Sequence, residues 1–357
     1  MLNTTEFKSL QRIILANFKT PSFPVKFSYI TTYRCNLKCQ MCKIWKKQSD
    51  NELSCDEIER FFRKSNKFSW VGITGGEPFL RNDMTRIVQI VLENCKDLCV
   101  LHFATNGTLL ERILNTVESI IGYKNSKAKI LFSISIDGVK SEHDKIRGVA
   151  GSWDKSIQTY LKLKEIPRVE PRMCITLTNY NMGSFKDTFL SVKDIVPSLR
   201  FDDIGVNIFQ KSTFYYENND LPALDSRQAV SCIDKILRLD REQFSCNNFI
   251  RRLYLKSYKY VINQKRPLFN CQALSFNCVM DPNGNIYPCI IFNKMISNVK
   301  DFRYDLQSLW RSNQVKQLRK KCFYHDCPIC WSPCDAYSSI LCGLIKRLPH
   351  IIKFWFD

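Results

Sequence analysis

Segments with strand character alternate with helical segments from residue 26 to residue 208, and this alternation constrains the fold more than any other feature. Apolar and β-branched runs predict six strands, at Lys26 to Tyr33, 69–74, 98–104, 130–136, 170–177 and 202–208. Amphipathic periodicity predicts helices near 84–96, 109–121, 153–165 and 184–195, with another opened by a capping box at Ser54. Strands joined through helices pair in parallel with right-handed crossovers. The chain is therefore predicted to be α/β, with its strands in an incomplete barrel or a strongly twisted open sheet.

Residue types that carry chemistry follow four of these strands. Cys35 comes just after the first strand and Gly75-Gly76-Glu77-Pro78 after the second. Thr105-Asn106-Gly107 follows the third strand and Asp137-Gly138 the fourth. In parallel α/β folds the carboxyl ends of the strands meet at one edge, where active sites form. These four segments are therefore predicted to share one rim.

Three cysteines are crowded into residues 35–42, in the pattern Cys35-x3-Cys39-x2-Cys42. Three thiolates on one short loop are enough to hold a cubane iron–sulfur cluster while one iron keeps no protein ligand. That iron can then bind a substrate. Structural zinc sites usually use four protein ligands and paired Cys-x2-Cys knuckles, so zinc fits this isolated triplet less well.

The chain has 17 Cys, which is more than packing in a reducing compartment requires, and an odd number cannot all pair as disulfides. A second group occupies the C-terminal part, where Cys271-x12-Gly284-x4-Cys289 is followed by Cys322-x4-Cys327-x2-Cys330-x3-Cys334 and then Cys342. Metal or cluster ligation is the leading explanation. A zinc knuckle at Cys327-Pro328-Ile329-Cys330 is the alternative.

Fifty-three Lys and Arg against 34 Asp and Glu give a net charge of +19, which suits nucleic acid, anionic lipid or an acidic substrate. A basic composition common to the whole source organism explains the charge equally well, because the basic residues are scattered. The charge also favours a remote hypothesis, a metal-binding nucleic-acid module that is not an enzyme. The sequence shows no helix-turn-helix, RNA-recognition motif or dense Arg cluster, which ranks this hypothesis last.

The sequence shows no run of about 18 apolar residues and no signal peptide, which predicts a cytoplasmic protein. The last segment, residues 343–357, mixes apolar and basic residues, as in Ile351-Ile352-Lys353-Phe354-Trp355-Phe356. Such a tail either packs on the body of the protein or lies on a membrane surface. Peripheral membrane contact is therefore an open alternative.

The cysteine triplet, Gly75-Gly76-Glu77-Pro78 and the segments Ser133 to Gly138 and His143 to Gly148 resemble the radical S-adenosylmethionine (SAM) superfamily. The resemblance implies a partial (β/α)6 TIM-like barrel in which a [4Fe–4S] cluster is bound by Cys35, Cys39 and Cys42. It also implies that SAM is contacted by Met41, Gly75, Gly76, Glu77, Pro78, Ser135, Asp137 and Arg147.

By this resemblance, each contact has an expected role. Glu77 and the glycines before it face the methionine amino group, because glycine permits close backbone approach and a carboxylate can counter an ammonium. Ser135 and Arg147 hold the carboxylate, and Asp137 lies near the ribose. Met41 stands where the family often has an aromatic residue, and its backbone is expected to contact adenine.

The second cysteine group resembles the SPASM extension of this superfamily, in which a β-hairpin, here turned by Asp281 to Gly284, leads into auxiliary [4Fe–4S] clusters. The resemblance implies one auxiliary cluster on Cys271, Cys278, Cys289 and Cys334. It implies a second on Cys322, Cys327, Cys330 and Cys342. The spacing Cys322-x4-Cys327-x2-Cys330 departs from the usual extension, so an arrangement with only one auxiliary cluster stays open.

The resemblance also implies a division of the chain and a function. The implied parts are an N-terminal extension (1–25), a radical SAM partial barrel (26–213), a helical bridge (214–268), a small SPASM iron–sulfur domain (269–342) and the basic apolar tail (343–357).

The implied reaction is reductive cleavage of SAM to a 5′-deoxyadenosyl radical, which abstracts hydrogen from a substrate. The expected substrate is a peptide or protein, and the alternative is a lipid or small metabolite at a membrane surface. An electron donor such as flavodoxin or ferredoxin is an expected partner. No residue of the sequence stands out as a catalytic residue that would quench the substrate radical.

Overall fold

The computed structural model of the protein describes residues 4–123, 127–239, 246–349 and 351. The predicted tail, residues 343–357, therefore lies within the described residues only up to 349 and at 351.

The predicted barrel strands are all present as a parallel sheet. They are β1 (Lys26–Ile30), β2 (Trp70–Thr74), β3 (Val100–Thr105), β4 (Lys129–Ser135), β5 (Val169–Leu177) and β6 (Ile204–Ile208). Each strand pairs in parallel with the next strand in the chain. The sheet does not close on itself, because β6 is an edge strand. An incomplete α/β barrel, as predicted, is confirmed.

One helix precedes β1, and further helices lie between the strands. Those up to β6 are α1 (Thr4–Ala16), α2 (Cys55–Lys64), α3 (Met84–Asn94), α4 (Leu110–Gly122), α5 (Lys140–Arg147), α6 (Ser152–Lys164) and α7 (Phe185–Ile195). The predicted capping box opens α2, where the Ser54 side chain accepts from Glu57 N–H and the Glu57 side chain accepts from Ser54 N–H. Such a pair satisfies two backbone donors that a helix start otherwise leaves free.

The core between sheet and helices is rich in aromatic rings. Phe27 of β1 lies 5.2 Å from Phe61 of α2 and 4.7 Å from Phe68, measured between ring centroids. All three side chains are fully buried. Burial of rings of this size contributes about 1.5–3 kcal/mol each, which fixes α2 against the strand that leads into the cysteine loop.

The C-terminal part extends the same sheet. Strand β7 (Asn277–Met280) pairs in parallel with β1, and β8 (Asn285–Tyr287) and β9 (Ser297–Asn298) follow antiparallel. The predicted hairpin turn is present between β7 and β8, where Asp281 accepts from the backbone N–H groups of Asn283 and Asn285 at 2.9 Å. The hairpin and the barrel therefore belong to one nine-stranded sheet.

The remaining helices pack against this sheet and each other. They are α8 (Ser226–Leu239), α9 (Cys246–Gln264), α10 (Leu306–Arg311), α11 (Asn313–Phe323) and α12 (Pro333–Gly343). The segment predicted as a helical bridge has a buried face, since Leu253, Tyr254 and Leu255 of α9 are fully buried. Tyr254 stacks on Tyr337 of α12 with 5.1 Å between ring centroids. This aromatic contact ties the C-terminal cysteine region to the body of the protein.

Candidate metal and cofactor site

The cysteine loop follows β1 and is held in place by the end of α5. Lys38 N–H donates to Arg147 O at 3.1 Å, and Gln40 N–H donates to Ile146 O at 2.8 Å. Gly148 ends α5 with φ +70°, and a Cβ at this glycine would lie 2.6 Å from Lys38 O. The motif around α5 therefore serves first to hold the cysteine loop against the strand ends.

The three thiols of the loop are largely shielded from solvent. Burial raises the pKa of Cys35 and Cys42 to about 12, and burial also raises the pKa of Cys39. The backbone N–H groups of Leu37 and Ile44 lie near Cys35 and Cys42 and oppose part of this rise in the pKa of the two thiols. Backbone donors aimed at sulfur are the surroundings that tune iron–sulfur clusters, and metal binding displaces the protons of buried thiols. These residues fit a cluster.

Gly75 and Gly76 lie directly against the cysteine loop. A Cβ on Gly75 would lie 2.4 Å from Thr32 O, and one on Gly76 would lie 2.2 Å from Arg34 O. Gly76 N–H donates to Thr32 O and Glu77 N–H donates to Arg34 O, both at 2.8 Å. The close approach that the glycines permit in this structure is to the backbone of the loop itself. Their approach to SAM stays a prediction.

Glu77 connects the ends of β2 and β3. Its buried carboxylate accepts from the Thr105 hydroxyl and from Asn106 N–H, both at 2.8 Å. It also accepts from Phe79 N–H at 3.2 Å. Burial outweighs these hydrogen bonds and raises the pKa of Glu77 to about 7. A carboxyl poised in this way would become fully ionised next to a cation, but its contact with an amino group stays a prediction.

Asp137 and Arg147 form an ion pair at the end of β4. Arg147 Nη2 lies 2.5 Å from Asp137 Oδ2, and the Asp137 side chain is fully buried. Asp137 Oδ1 accepts from Thr176 N–H at 2.8 Å. Asp137 N–H donates to His143 Nδ1 at 3.0 Å, and burial lowers the pKa of His143 to about 3, so its ring is neutral. The structure therefore brings Asp137 and Arg147 together beside the cysteine loop.

Arg147 retains one buried donor for a ligand. Its Nη1 points at Cys39 Sγ, at 3.6 Å, while its Nε has no hydrogen-bond partner among the described residues. An unpaired buried donor costs about 1–3 kcal/mol. A carboxylate bound at this position would remove that cost, which supports the predicted role of Arg147.

The other predicted contacts lie on the same rim. Ser135 is the half-buried last residue of β4, and Pro78 is buried at the start of a short 3-10 turn. Met41 is buried in the loop, and its carbonyl accepts from Asn218 Nδ2 at 3.0 Å. Their contacts with SAM stay predictions.

Six C-terminal cysteines form a second group. The group consists of Cys271, Cys289, Cys322, Cys327, Cys330 and Cys334. Backbone N–H groups again point at sulfur, from Ala273 to Cys271 at 3.4 Å and from Phe292 to Cys289 at 3.2 Å. Burial raises the pKa of Cys271 and Cys289 well above the ordinary range. The donor set therefore fits an auxiliary cluster for the same reasons as the first group.

Two cysteines that the sequence assigned to auxiliary clusters lie elsewhere. Cys278 is opposite Phe27 in the β1–β7 register and is fully buried in the main core. Cys342 packs with Val25 and Phe276 in a separate apolar cluster. The structure thus does not bring either residue to the group of six.

Sequence reasoning missed two tyrosines between the cysteine groups. Tyr215 and Tyr216 both lie near Cys42 of the first group and Cys334 of the second, and burial raises the pKa of both phenols. The Tyr215 hydroxyl donates to Gly75 O at 2.7 Å, and the two rings meet edge to face with 4.8 Å between centroids. The aromatic run at residues 214–216 was the available signal.

Asp335 was also missed, although it directly follows a cysteine in the sequence. It is buried beside Cys271, Cys289 and Cys330, and burial raises the pKa of its carboxyl. Asn277 Nδ2 donates to it at 2.7 Å. Asp335 therefore links the second cysteine group to strand β7.

Across residues 4–123, 127–239, 246–349 and 351, no three Cys, His, Asp or Glu side chains are grouped closely enough to hold one metal ion. A zinc knuckle at Cys327 and Cys330 stays the alternative to a cluster.

Comparison with known proteins agrees with this geometry. Residues 29–190 match the model of the Radical SAM superfamily. AlbA of Bacillus subtilis, an antilisterial bacteriocin subtilosin biosynthesis protein, is 28% identical over 83% of this chain and 61% of its own length. Fe-coproporphyrin III synthase of Methanosarcina barkeri is 26% identical over 93% of this chain and 81% of its own length. This chain therefore spans less than two thirds of AlbA.

A solved structure shows the same fold. SuiB of Streptococcus suis, crystallised with S-adenosylmethionine, superposes with a TM-score of 0.60 over 89% of this chain and 74% of its own, at 19% identity. The matched family model, the open parallel sheet and the cysteine loop at its strand ends agree with one another. Residues 29–190, just under half of the chain, are therefore similar to the radical SAM superfamily, and the chain shares its fold with SuiB.

Proposed function

We propose that the protein is an enzyme that binds a [4Fe–4S] cluster on Cys35, Cys39 and Cys42 and reductively cleaves SAM. The observation that carries the proposal is the buried loop of three thiols at the same rim as Glu77 and Arg147. The cluster and SAM together would supply a 5′-deoxyadenosyl radical that removes hydrogen from the substrate. The protein's own residues bind, orient and exclude water.

Each protein group has a task at this rim. The three thiolates hold the cluster, and the N–H groups of Leu37 and Ile44 stabilise two of them. Arg147 Nε, which has no partner among the described residues, is free to donate to the carboxylate of SAM. Glu77 offers a buried carboxylate to its amino group. Because these groups are held by neighbouring backbone, the ligand would be oriented with little reorganisation.

We propose one auxiliary cluster, held by four of the six grouped cysteines. Six thiols are enough for one four-thiolate cubane but fall short of the eight that two complete sets need. Cys278 and Cys342, which the two-cluster assignment requires, are buried in other cores. The proposal thus replaces the two ligand sets inferred from sequence with a single set.

The substrate class that we propose is a peptide or protein. Support comes from AlbA, whose name assigns it to the biosynthesis of a bacteriocin. SuiB, which shares the fold, has also been crystallised with its precursor peptide SuiA. The low-potential electron would come from a small carrier such as flavodoxin or ferredoxin.

The proposed reaction is tested with SAM and a reductant alone. Anaerobically reconstituted protein, reduced with dithionite, is expected to form 5′-deoxyadenosine from SAM, and omission of dithionite should abolish the product. Protein that contains the cluster but forms no 5′-deoxyadenosine, with or without added peptide, would contradict the proposed function.

A second candidate, modification of a lipid or small metabolite at a membrane surface, is favoured by α1. This helix packs through Ile13 and Ala16 and leaves an apolar stripe to the solvent. The exposed apolar side chains are Phe7, Leu10, Ile14 and Leu15 of the helix, and Phe18 just beyond its end. Leu15 and Phe18 are more than half exposed, at 63% and 62%. Apolar residues three and four positions apart lie on one helix face, so this face is unpartnered within the described residues.

Positive charges beside the apolar stripe indicate what kind of surface it would bind. Lys19 of the N-terminal segment and Lys346 beyond α12 are exposed, and Ile345 and Leu348 add further exposed apolar area. An apolar stripe flanked by lysines suits a bilayer surface that contains anionic lipid. The described residues hold no helix long and apolar enough to cross a membrane. The proposed occupant of the stripe is therefore the membrane surface.

Vesicle binding tests this candidate. The full chain is expected to co-sediment with phosphatidylcholine vesicles that contain phosphatidylglycerol, and a Leu15→Ser/Phe18→Ser variant should bind about tenfold more weakly. Leu190→Ser/Ile195→Ser, which removes two apolar side chains of α7 that are 43% and 44% exposed, is the control and should bind normally. Equal binding by both variants would exclude the stripe, and dimerisation lost only in the α1 variant would identify a protein partner instead.

A further inference from the structure

We propose that Arg147, with Asp137 as its counter-charge, sets the reduction potential of the cluster on the cysteine loop by donating a hydrogen bond to the Cys39 thiolate. This is separate from the expected contact of Arg147 with the SAM carboxylate. The proposal rests on the proposed function, because it concerns the cluster that the loop would hold.

The contacts that carry the proposal are buried. Arg147 Nη1 lies 3.6 Å from Cys39 Sγ, within reach of an N–H to sulfur hydrogen bond. Arg147 Nη2 lies 2.5 Å from Asp137 Oδ2, a close ion pair whose side chains are 11% and 0% exposed. Solvent therefore screens neither the charge of the guanidinium nor that of the carboxylate.

The guanidinium has little freedom to leave this position. Asp137 is held by Thr176 N–H at its carboxylate and by Asn181 Nδ2 at its carbonyl, both at 2.8 Å. The backbone of Arg147 is also held, because its carbonyl accepts from Lys38 N–H in the cysteine loop. A planar guanidinium fixed at one nitrogen by a carboxylate has its other nitrogen directed by that contact. The direction here is toward Cys39.

The arrangement leaves the predicted SAM contact intact. The three nitrogens of the Arg147 guanidinium are in different surroundings. Nη1 faces the Cys39 sulfur, Nη2 faces Asp137, and Nε has no partner among the described residues. One side chain would therefore contact a cluster ligand and a bound carboxylate at the same time.

The sign of the effect follows from charge. Reduction adds one electron to the cluster and breaks no bond, so the reduced cluster is the more negative state. A cation beside a cluster thiolate stabilises that state and raises the potential, whereas the Asp137 carboxylate opposes part of this effect. Removal of the two charges should therefore shift the potential in opposite directions.

The experiment is a redox titration followed by electron paramagnetic resonance, on the anaerobically reconstituted full chain without SAM. The signal of interest is the one that disappears when the cysteines of the loop are replaced. Arg147→Gln is expected to lower its potential by about 59 mV or more, which is a tenfold change in the ratio of reduced to oxidised cluster. Asp137→Asn is expected to raise it. Lys145→Gln removes an exposed charge from the same helix and should leave the potential unchanged.

The outcomes separate this inference from the proposed function. A wild type that assembles no cluster on the loop would overturn both. If the wild type binds the cluster but Arg147→Gln and Lys145→Gln have the same cluster potential, this inference alone would be overturned. If Arg147→Gln fails to bind iron, the Asp137→Asn variant provides the test. A cluster potential in Asp137→Asn that is equal to or lower than that of the wild type would contradict the proposed role of Asp137 as counter-charge.

Discussion

Replacement of Cys35, Cys39 and Cys42 together by alanine is expected to lower bound iron from about eight to about four atoms per chain, since each cubane holds four. The same variant should form no 5′-deoxyadenosine from SAM. The reason is that these thiols are the proposed ligands, which the loop after β1 presents at the rim, while the second cysteine group is untouched. Iron and sulfide analysis of anaerobically reconstituted protein measures the first effect, and chromatography of the reaction mixture measures the second.

A matched control tests whether the loss is specific. Cys278→Ala/Cys342→Ala removes two buried thiols that lie apart from both cysteine groups, so the iron content should stay at about eight. Each substitution leaves a small cavity and costs about 1 kcal/mol of folding free energy. A loss of about four irons in this control would restore the ligand sets inferred from sequence, and about twelve irons in the wild type would restore two auxiliary clusters.

The strands and the rim could be predicted because their signals are local. Alternating apolar runs and helical periodicity mark each strand and helix, and chain order then places the strand ends on one edge. Cys35, Gly76 and Asp137 each lie within five residues of the end of a strand, so their common location required no knowledge of side-chain contacts. The six parallel strands of the barrel confirm that argument.

The auxiliary cysteines could not be sorted in this way, because spacing does not reveal which side of a strand a thiol faces. Side chains alternate along β7, and the parallel register with β1 places Cys278 opposite Phe27, on the face that packs against the main core. That register is a long-range property, since residues 26 and 277 are paired across most of the chain. No local pattern near Cys278 encodes it.

Contacts between segments distant in the sequence were missed for the same reason. Tyr215 hydrogen-bonds to Gly75, which is 140 positions away in the sequence, and Asp335 hydrogen-bonds to Asn277, which is 58 positions away. Neither residue stands in a motif of its own. Arg147 was expected at the SAM carboxylate, but its contact with Cys39 follows only from the way α5 packs on the cysteine loop.

Gly76→Ala is expected to disrupt the site and the fold together. A Cβ at this position would lie 2.2 Å from Arg34 O and 2.6 Å from Tyr33 O, far inside van der Waals contact. Both obstructing atoms belong to backbone, so neither can rotate away. The cysteine loop must therefore move from the end of β2, which also strains the hydrogen bond from Glu77 N–H to Arg34 O. We expect a loss of about 3 kcal/mol or more in the free energy of unfolding.

The same displacement should reduce iron binding by the loop, because Cys35 directly follows the residue that must move. Bound iron is expected to fall by about four atoms per chain, with the auxiliary cluster retained. Gly122→Ala is the matched control, since a Cβ at that last residue of α4 meets no atom within 4 Å. Alanine there should leave iron unchanged and stabilise the helix by up to about 1 kcal/mol. Normal iron content and a normal unfolding curve for Gly76→Ala would show that the cysteine loop tolerates a Cβ at this position. Close packing against the loop would then not explain why residues 75 and 76 are both glycine.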